Sequence, residues 1–123
     1  MLINSVLVEV LNIPDEKIQV IPLGVSDNFH PVDQSGLTQF QTKYNLTRPY
    51  ILSLGSLEPR KNIAGITKSW KQIHHDFPDY ELVIVGDMGF PFKDPEFDQS
   101  TPGMRLLGRI EDRDLPALYS GAV

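Results

Sequence analysis

The sequence predicts an α/β fold built on a parallel sheet, and three observations carry that prediction. Tyr50–Leu54, Glu81–Gly86 and Met104–Gly108 are apolar runs, each closed by a glycine: Gly55, Gly86 and Gly108. Such runs suit strands covered by helices on both faces. Between the first two runs, Ile63, Ile66, Trp70, Ile73 and Phe77 recur at steps of three and four, the stripe of a helix with one buried side. Strand and helix in alternation, each strand of this apolar type, imply parallel pairing through right-handed crossovers. Ile51, Leu52, Val83, Ile84 and Leu106 are expected in the core of the sheet, with Ile66, Trp70 and Ile73 on one face.

Taken in order, Leu2–Leu11 has one apolar side and reads as a short helix stopped by Pro14. Glu16–Pro22 alternates, with Ile18, Val20 and Pro22 on one face, and predicts a strand. Val25–Gln34 is a loop with Pro31 and Asp33 as turn formers. Leu37–Tyr44 predicts a helix ending near Asn45. After the first apolar strand comes a loop, Ser56–Lys61, then a helix N-capped by Asn62. That helix is expected to run on until Pro78 ends it, with His74, His75 and Asp76 in its last turn. The segment from Asp87 to Gly103 is a long Pro-, Asp- and Phe-rich loop with no helical period. Glu111 or Asp112 is expected to cap a last helix through Leu115, Leu118 and Tyr119.

Composition limits what the chain can do. It has 123 residues and a formal charge of −5, from 11 basic and 16 acidic side chains. That length holds one core. A mildly acidic chain is a poor electrostatic partner for nucleic acid or an anionic membrane. The absence of cysteine removes disulfides, zinc–thiolate sites, iron–sulfur clusters and thiol nucleophiles. No apolar run approaches the ~18 residues of a membrane span. The first helix lacks the basic start and cleavage site of a signal peptide, so the cytoplasm is the expected compartment.

Ligands of open α/β sheets sit outside the carboxyl ends of the strands. The first place to look is therefore Gly55-Ser56-Leu57-Glu58-Pro59-Arg60-Lys61-Asn62. Gly55 permits a sharp turn and close backbone approach. Arg60 and Lys61 precede a helix N-terminus, where free amides and the positive dipole end favour an anion. Two cations there could hold a diphosphate through charge-assisted bonds; the same pair could equally be a solvated feature of a surface loop. The loop lacks the further glycines of a dinucleotide fingerprint and the Gly-Lys-Ser/Thr of a P-loop, which disfavours a nicotinamide dehydrogenase or an ATPase. His74 and His75 are adjacent on a helix and point about 100° apart, so they cannot share a metal as a one-turn pair could. Asp94, Glu96 and Asp98 are too loosely spaced for a calcium loop. No elbow of glycines surrounds Ser53 or Ser56. A response-regulator receiver domain would need an acidic cluster after the first strand and an aspartate after the third, and neither is present.

Five segments in order resemble the GT-B glycosyltransferases of the family-4 type, which include many mannosyl- and rhamnosyltransferases. They are IPDEKIQVIPLGVSDNF (13–29), YILSLGSLEPRKN (50–62), ELVIVGDMGF (81–90), RLLGRIEDRDL (105–115) and PALYSGA (116–122). The resemblance implies two Rossmann-like domains facing a cleft, the first binding the acceptor and the second a nucleotide-sugar. On that reading residues 1–33 are a remnant of the acceptor domain and the interdomain passage. Residues 34–123 are then the first half of the donor domain, a partial Rossmann-like sheet. Residues 1–33 are accordingly expected to pack poorly on the sheet.

The resemblance places Gly55, Arg60 and Lys61 at the donor diphosphate and Gly108, Arg109 and Ile110 at the donor base, read by backbone. It implies no metal and no cofactor besides the nucleotide-sugar. The acceptor, a sugar or a lipid-linked sugar, would bind the other domain, with the parent enzyme in the cytoplasm or peripheral to the membrane. Family members also carry a histidine upstream and a donor-gripping pair of glutamates downstream. Neither has a counterpart here, so the chain reads as a fragment with no catalytic residue of its own. In the Rossmann order the next strand would pair with Tyr50–Leu54. A non-catalytic nucleotide-binding or interaction module of the same fold is the alternative.

Overall fold

A computed structural model describes residues 2–87 and 100–123. Its elements are α1 (Leu2–Glu9), α2 (Gln34–Tyr44), β1 (Tyr50–Leu54), α3 (Ile63–Ile73), β2 (Glu81–Val85), β3 (Met104–Gly108) and α4 (Leu115–Ser120), with short 3-10 turns at 15–17, 59–61 and 112–114. The three strands form one sheet in the order β1-β2-β3. Both pairings are parallel, with Leu52 opposite Val83 and Ile84 opposite Leu106. The predicted class is the observed one.

The single core expected from the length is split by the sheet into two clusters, and the period-2 rule divides β2 between them. Val83 and Val85 point to one face and join Phe40, Leu46, Tyr50, Ile110, Ala117 and Leu118 under α2 and α4. Leu82 and Ile84 point to the other and join Leu57, Ile63 and Trp70 under α3. All five residues of β2 are buried, as a central strand with helices on both faces requires. Trp70 anchors the α3 side and donates its indole N–H to the carbonyl of Pro102, 3.0 Å away. The capping of α2 is local chemistry. Asp33 Oδ1 accepts the Gly36 N–H at 2.8 Å, and Asn45 closes the helix in the left-handed region at φ 53°. Leu46 then returns its N–H to Gln41 and buries its side chain.

Several sequence expectations are corrected. Residues 16–22 form no strand: a 3-10 turn covers Asp15–Lys17, and Val20 and Ile21 lie exposed. An alternating segment becomes a strand only when it pairs, and among the described residues this one pairs with no strand. Helix α2 starts at Gln34, three residues early, because Asp33 is its cap. Helix α3 stops at Ile73, so His74–Asp76 lie in a turn beyond it and Phe77 is exposed. Asn62 occupies the cap position of α3 but makes no side-chain cap bond; its amide lies over Gly65. Glu111 and Asp112 likewise give no side-chain cap, and a 3-10 turn leads into α4. Ile51 and Ile73 are each 42% exposed instead of buried: β1 is an edge strand, and among the described residues that side of α3 is left uncovered. Leu52 and Leu106 are half-buried. Asp94, Glu96 and Asp98 lie outside the described residues.

At the β1 edge, Ala122 bridges Tyr50 in the parallel sense and the Val123 N–H donates to the Tyr50 carbonyl at 3.1 Å. This is the pairing the Rossmann order calls for. Of residues 1–33, Val6, Val10 and Val20 are exposed and Ile18 is half-buried. The last part of that segment does touch the sheet unit. Phe29 meets Tyr119 edge to face, the Val32 N–H donates to Ser120 Oγ at 3.1 Å, and Val32 packs on the α2/α4 core.

Tyr50 yields a pH prediction. Its ring is fully buried and its hydroxyl donates to the Leu118 carbonyl at 2.7 Å. Burial pushes its pKa up to about 12. The unfolded chain releases that proton near 10, so stability is intact below about pH 10 and is lost as pH rises toward the folded value, by roughly 2–3 kcal/mol in all. Urea midpoints between pH 8 and 12 should show this slope in the wild type and a shallower one in Tyr50→Phe.

Candidate functional site

The carboxyl ends of all three strands open on one end of the sheet, and each strand ends at a glycine. Gly55 has φ 151°, Gly86 φ 154° and Gly108 φ 66°, all in the region where a side chain is strained. The three are tied in a row: the Gly55 N–H donates to Val85 and the Gly86 N–H donates to Gly108, both at 2.9 Å. A Cβ built on Gly86 would sit 1.8 Å from the Gly55 carbonyl oxygen, so glycine is required there for close backbone approach. The Leu57 N–H donates to the Asp87 carbonyl at 3.0 Å, and Leu57 is buried against α3. The Ser56–Lys61 loop is thereby pinned to the end of β2.

This row brings the two sequence-predicted loops together. Gly55 and Gly108 flank Gly86, two strand spacings or about 10 Å apart. Lys61 and Arg60, adjacent in sequence, have different fates. The Lys61 side chain runs over Gly55: a methyl placed on Gly55 would lie 3.6 Å from Cε and 3.7 Å from Cδ. Its backbone N–H donates to the Glu58 carbonyl at 2.9 Å, but among the described residues its ammonium makes no hydrogen bond or ion pair and feels Glu58 only at longer range. Arg60 donates Nε–H to Glu58 Oε2 at 2.5 Å, with its side chain 67% exposed. Arg60 and then the Ser56 hydroxyl hold the Glu58 carboxyl below the usual carboxylate range, so the partner of Arg60 is an anion at neutral pH. One cation thus lies along Gly55, and the other is paired with Glu58.

On the other side, Arg109 is exposed and unpaired among the described residues. Ile110 is buried in the α2/α4 core, which leaves only its backbone for a ligand. Arg109–Asp112 line a hollow of about 450 Å³. A larger groove, about 740 Å³, runs between Asn28–Val32 and Asp112–Pro116 and touches none of the glycines. The glycine row is the better candidate because the strand ends, the α3 N-terminus and the unpaired lysine meet there, whereas the groove shares only the ends of the 109–112 turn. No group of three potential metal ligands occurs among the described residues, His74 and His75 included. No helix among them is long and apolar enough to cross a membrane.

Sequence reasoning missed the Glu58–Arg60 pair and a cluster around Lys43. The first had a local signal, an acid two residues before the arginine. The second joins residues 68 to 71 positions apart and had none.

The sequence model for glycosyl transferases group 1 matches residues 36–122. The chain belongs to that family. A relative, the O-antigen chain mannosyltransferase B of Escherichia coli, is 28% identical over 125 residues, covering 97% of this chain and 33% of that protein. The chain therefore spans about one third of the length of that curated relative. The resemblance of the five segments to GT-B glycosyltransferases is upheld by these matches, and the parallel α/β sheet agrees with part of a Rossmann-like domain of that fold.

Proposed function

We propose that this chain supplies the donor side of a glycosyltransferase, which moves a sugar from a nucleotide-sugar to an acceptor hydroxyl. Residues 34–123 are the donor-binding unit and residues 1–33 the passage from an acceptor-binding domain. Support for the division comes from a family match that begins at residue 36 and from the exposed Val6, Val10 and Val20. The name of the Escherichia coli relative favours mannose as the sugar. The acceptor, a sugar or lipid-linked sugar, binds outside residues 34–123, and the reaction takes place in the cytoplasm or at its membrane surface.

The single observation that carries the reading is the unpaired Lys61 lying along Gly55 at the carboxyl end of β1. An ammonium there sits where a diphosphate can approach bare backbone, beside the N-terminus of α3. As the sugar–phosphate bond breaks, negative charge grows on the leaving diphosphate, and Lys61 stabilises it from a fixed position. That role needs no metal. Arg60, held by Glu58, is a secondary contact at the rim. The backbone of Gly108, Arg109 and Ile110 faces the base, and none of the residues assigned to the site acts as a general base.

Calorimetric titration of the 123-residue chain tests the reading. A nucleoside diphosphate should bind measurably and the same nucleoside without phosphates should not. Equal binding of the two, or binding of neither, would remove the diphosphate from the account.

A further inference from the structure

The loop that follows β3 is held by α2 through polar contacts at the edge of the α2/α4 core, against which Tyr44 packs. Lys43 Nζ donates to Glu111 Oε1 at 3.0 Å and to Asp114 Oδ2 at 2.7 Å. Tyr44 donates its hydroxyl to the same Asp114 oxygen at 2.7 Å, and the Lys43 ammonium stands 5.3 Å above the Tyr44 ring. Burial alone would raise the Asp114 pKa, but the bonds from Lys43 and Tyr44 outweigh it and hold the carboxyl below its usual range. Asp114 is therefore an anion at neutral pH, and the cluster is charge-assisted throughout. The C-terminus of α2 is fixed in turn to β3. Arg105 donates from one guanidinium nitrogen to the Asn45 carbonyl and from the other to the Tyr44 carbonyl, the latter at 2.9 Å.

The consequence is a bracket. Arg105 lies three residues before Gly108, and Glu111 follows Ile110 directly. The same turn of α2, Lys43 to Asn45, grips the chain on both sides of Gly108–Ile110. Ile110 adds a third anchor by burying its side chain in the same apolar cluster as Phe40 of α2. A loop that reads a ligand by its backbone needs that backbone held before the ligand arrives, since every ordered residue otherwise costs affinity. Arg109, the one exposed residue inside the bracket, is then the part left to meet solvent or ligand.

We propose that Lys43, gripping Glu111 and Asp114, is a positioning residue for the Gly108–Ile110 backbone and thereby sets affinity for the base of the donor. The proposal rests on the donor-site reading above, and it concerns residues that touch no ligand. Asp114 is the other half of the device. Tyr44 orients the carboxylate so that one oxygen serves both donors.

Two measurements on the 123-residue chain test it, with Lys43→Met as the disrupting variant and Lys43→Arg as the conservative one. Amide exchange of the unliganded protein reads the clamp itself. In Lys43→Met, exchange at Arg109, Ile110 and Glu111 should quicken about fivefold, the scale of losing a partly exposed ion pair. Exchange at Val83–Val85 should stay unchanged, which shows that the domain remains folded. Binding reads the function, with GDP, UDP, ADP and dTDP as base-bearing probes and inorganic pyrophosphate as the base-free one. In Lys43→Met the best nucleoside diphosphate should weaken about fivefold while pyrophosphate is unaffected, and Lys43→Arg should restore most of the loss. Unchanged loop exchange, or an equal loss for both probe types, overturns the proposal. A wild-type chain that binds pyrophosphate and nucleoside diphosphates equally well also overturns it, since no base affinity is then present to set. Failure of the wild type to bind any probe overturns the donor-site reading and the proposal together. Nucleotide binding that Lys43→Met leaves intact overturns the proposal alone.

Discussion

Replacing Gly86 with alanine is expected to abolish stable folding. A methyl group there would stand 1.8 Å from the Gly55 carbonyl oxygen and 2.7 Å from its carbon. The obstacle is backbone, so no rotamer change relieves it. Gly55 cannot retreat freely, because its N–H is bonded to Val85 and Leu57 just beyond is bonded to Asp87 and buried. A φ of 154° adds strain for any residue with a side chain. Clashes of this kind belong to the severe end of single substitutions, about 4 kcal/mol or more, against a total stability of roughly 5–15 kcal/mol. Gly108→Ala is the matched control. Its φ of 66° is also positive, but a Cβ there meets nothing within 4 Å. The conformational cost alone is about 1–2 kcal/mol. Urea denaturation should rank Gly86→Ala far below Gly108→Ala. Equal losses would mean that the two strand ends do not approach as closely as described.

Lys61→Ala is expected to weaken nucleoside diphosphate binding about ten- to a hundredfold. The loss corresponds to one charge-assisted bond to phosphate, about 1.5–3 kcal/mol. Arg60→Ala should cost much less, since the guanidinium already spends its Nε–H on Glu58. Glu58→Gln should move the other way, because it releases Arg60 and removes an anion from the site. Folding should hardly change in any of the three, since exposed ionic groups contribute little to stability. The ordering Lys61 over Arg60 is the informative result. A solvated pair of surface cations would show no ordering and no loss.

The sheet was legible because its information is local. Five-residue apolar runs ending in glycine mark buried parallel strands directly, and the α3 stripe from Ile63 to Trp70 needs no partner to be recognised. What failed was whatever depends on a neighbour. Residues 16–22 alternate correctly but find no edge to pair with. Ile51 is apolar enough for a core but sits on the outermost strand. Phe77 continues the α3 stripe in register, yet the helix stops at Ile73 and leaves the ring outside. The residues of the candidate site were grouped at the same local level. Gly55, Arg60 and Lys61 stand together in sequence and at a strand end, and the row of glycines brings Gly108 to the same end of the sheet. The different pairing of the two cations was hidden, because it depends on which of them bonds Glu58. The Lys43–Asp114 clamp was hidden more deeply, since seventy residues separate its halves and each reads as an ordinary surface charge.

The most direct test of the donor-site claim is a residue-resolved titration of the isotope-labelled chain with a nucleoside diphosphate, read as amide shift changes. The account predicts saturable shifts at Gly55, at Lys61 through Ala64 around the start of α3, and at Gly108 through Glu111, all with one binding constant. The opposite end of the sheet, around Glu81 and Met104, should stay still. Shifts confined to the groove between Asn28–Val32 and Asp112–Pro116, with Gly55 and Lys61 unmoved, would contradict it.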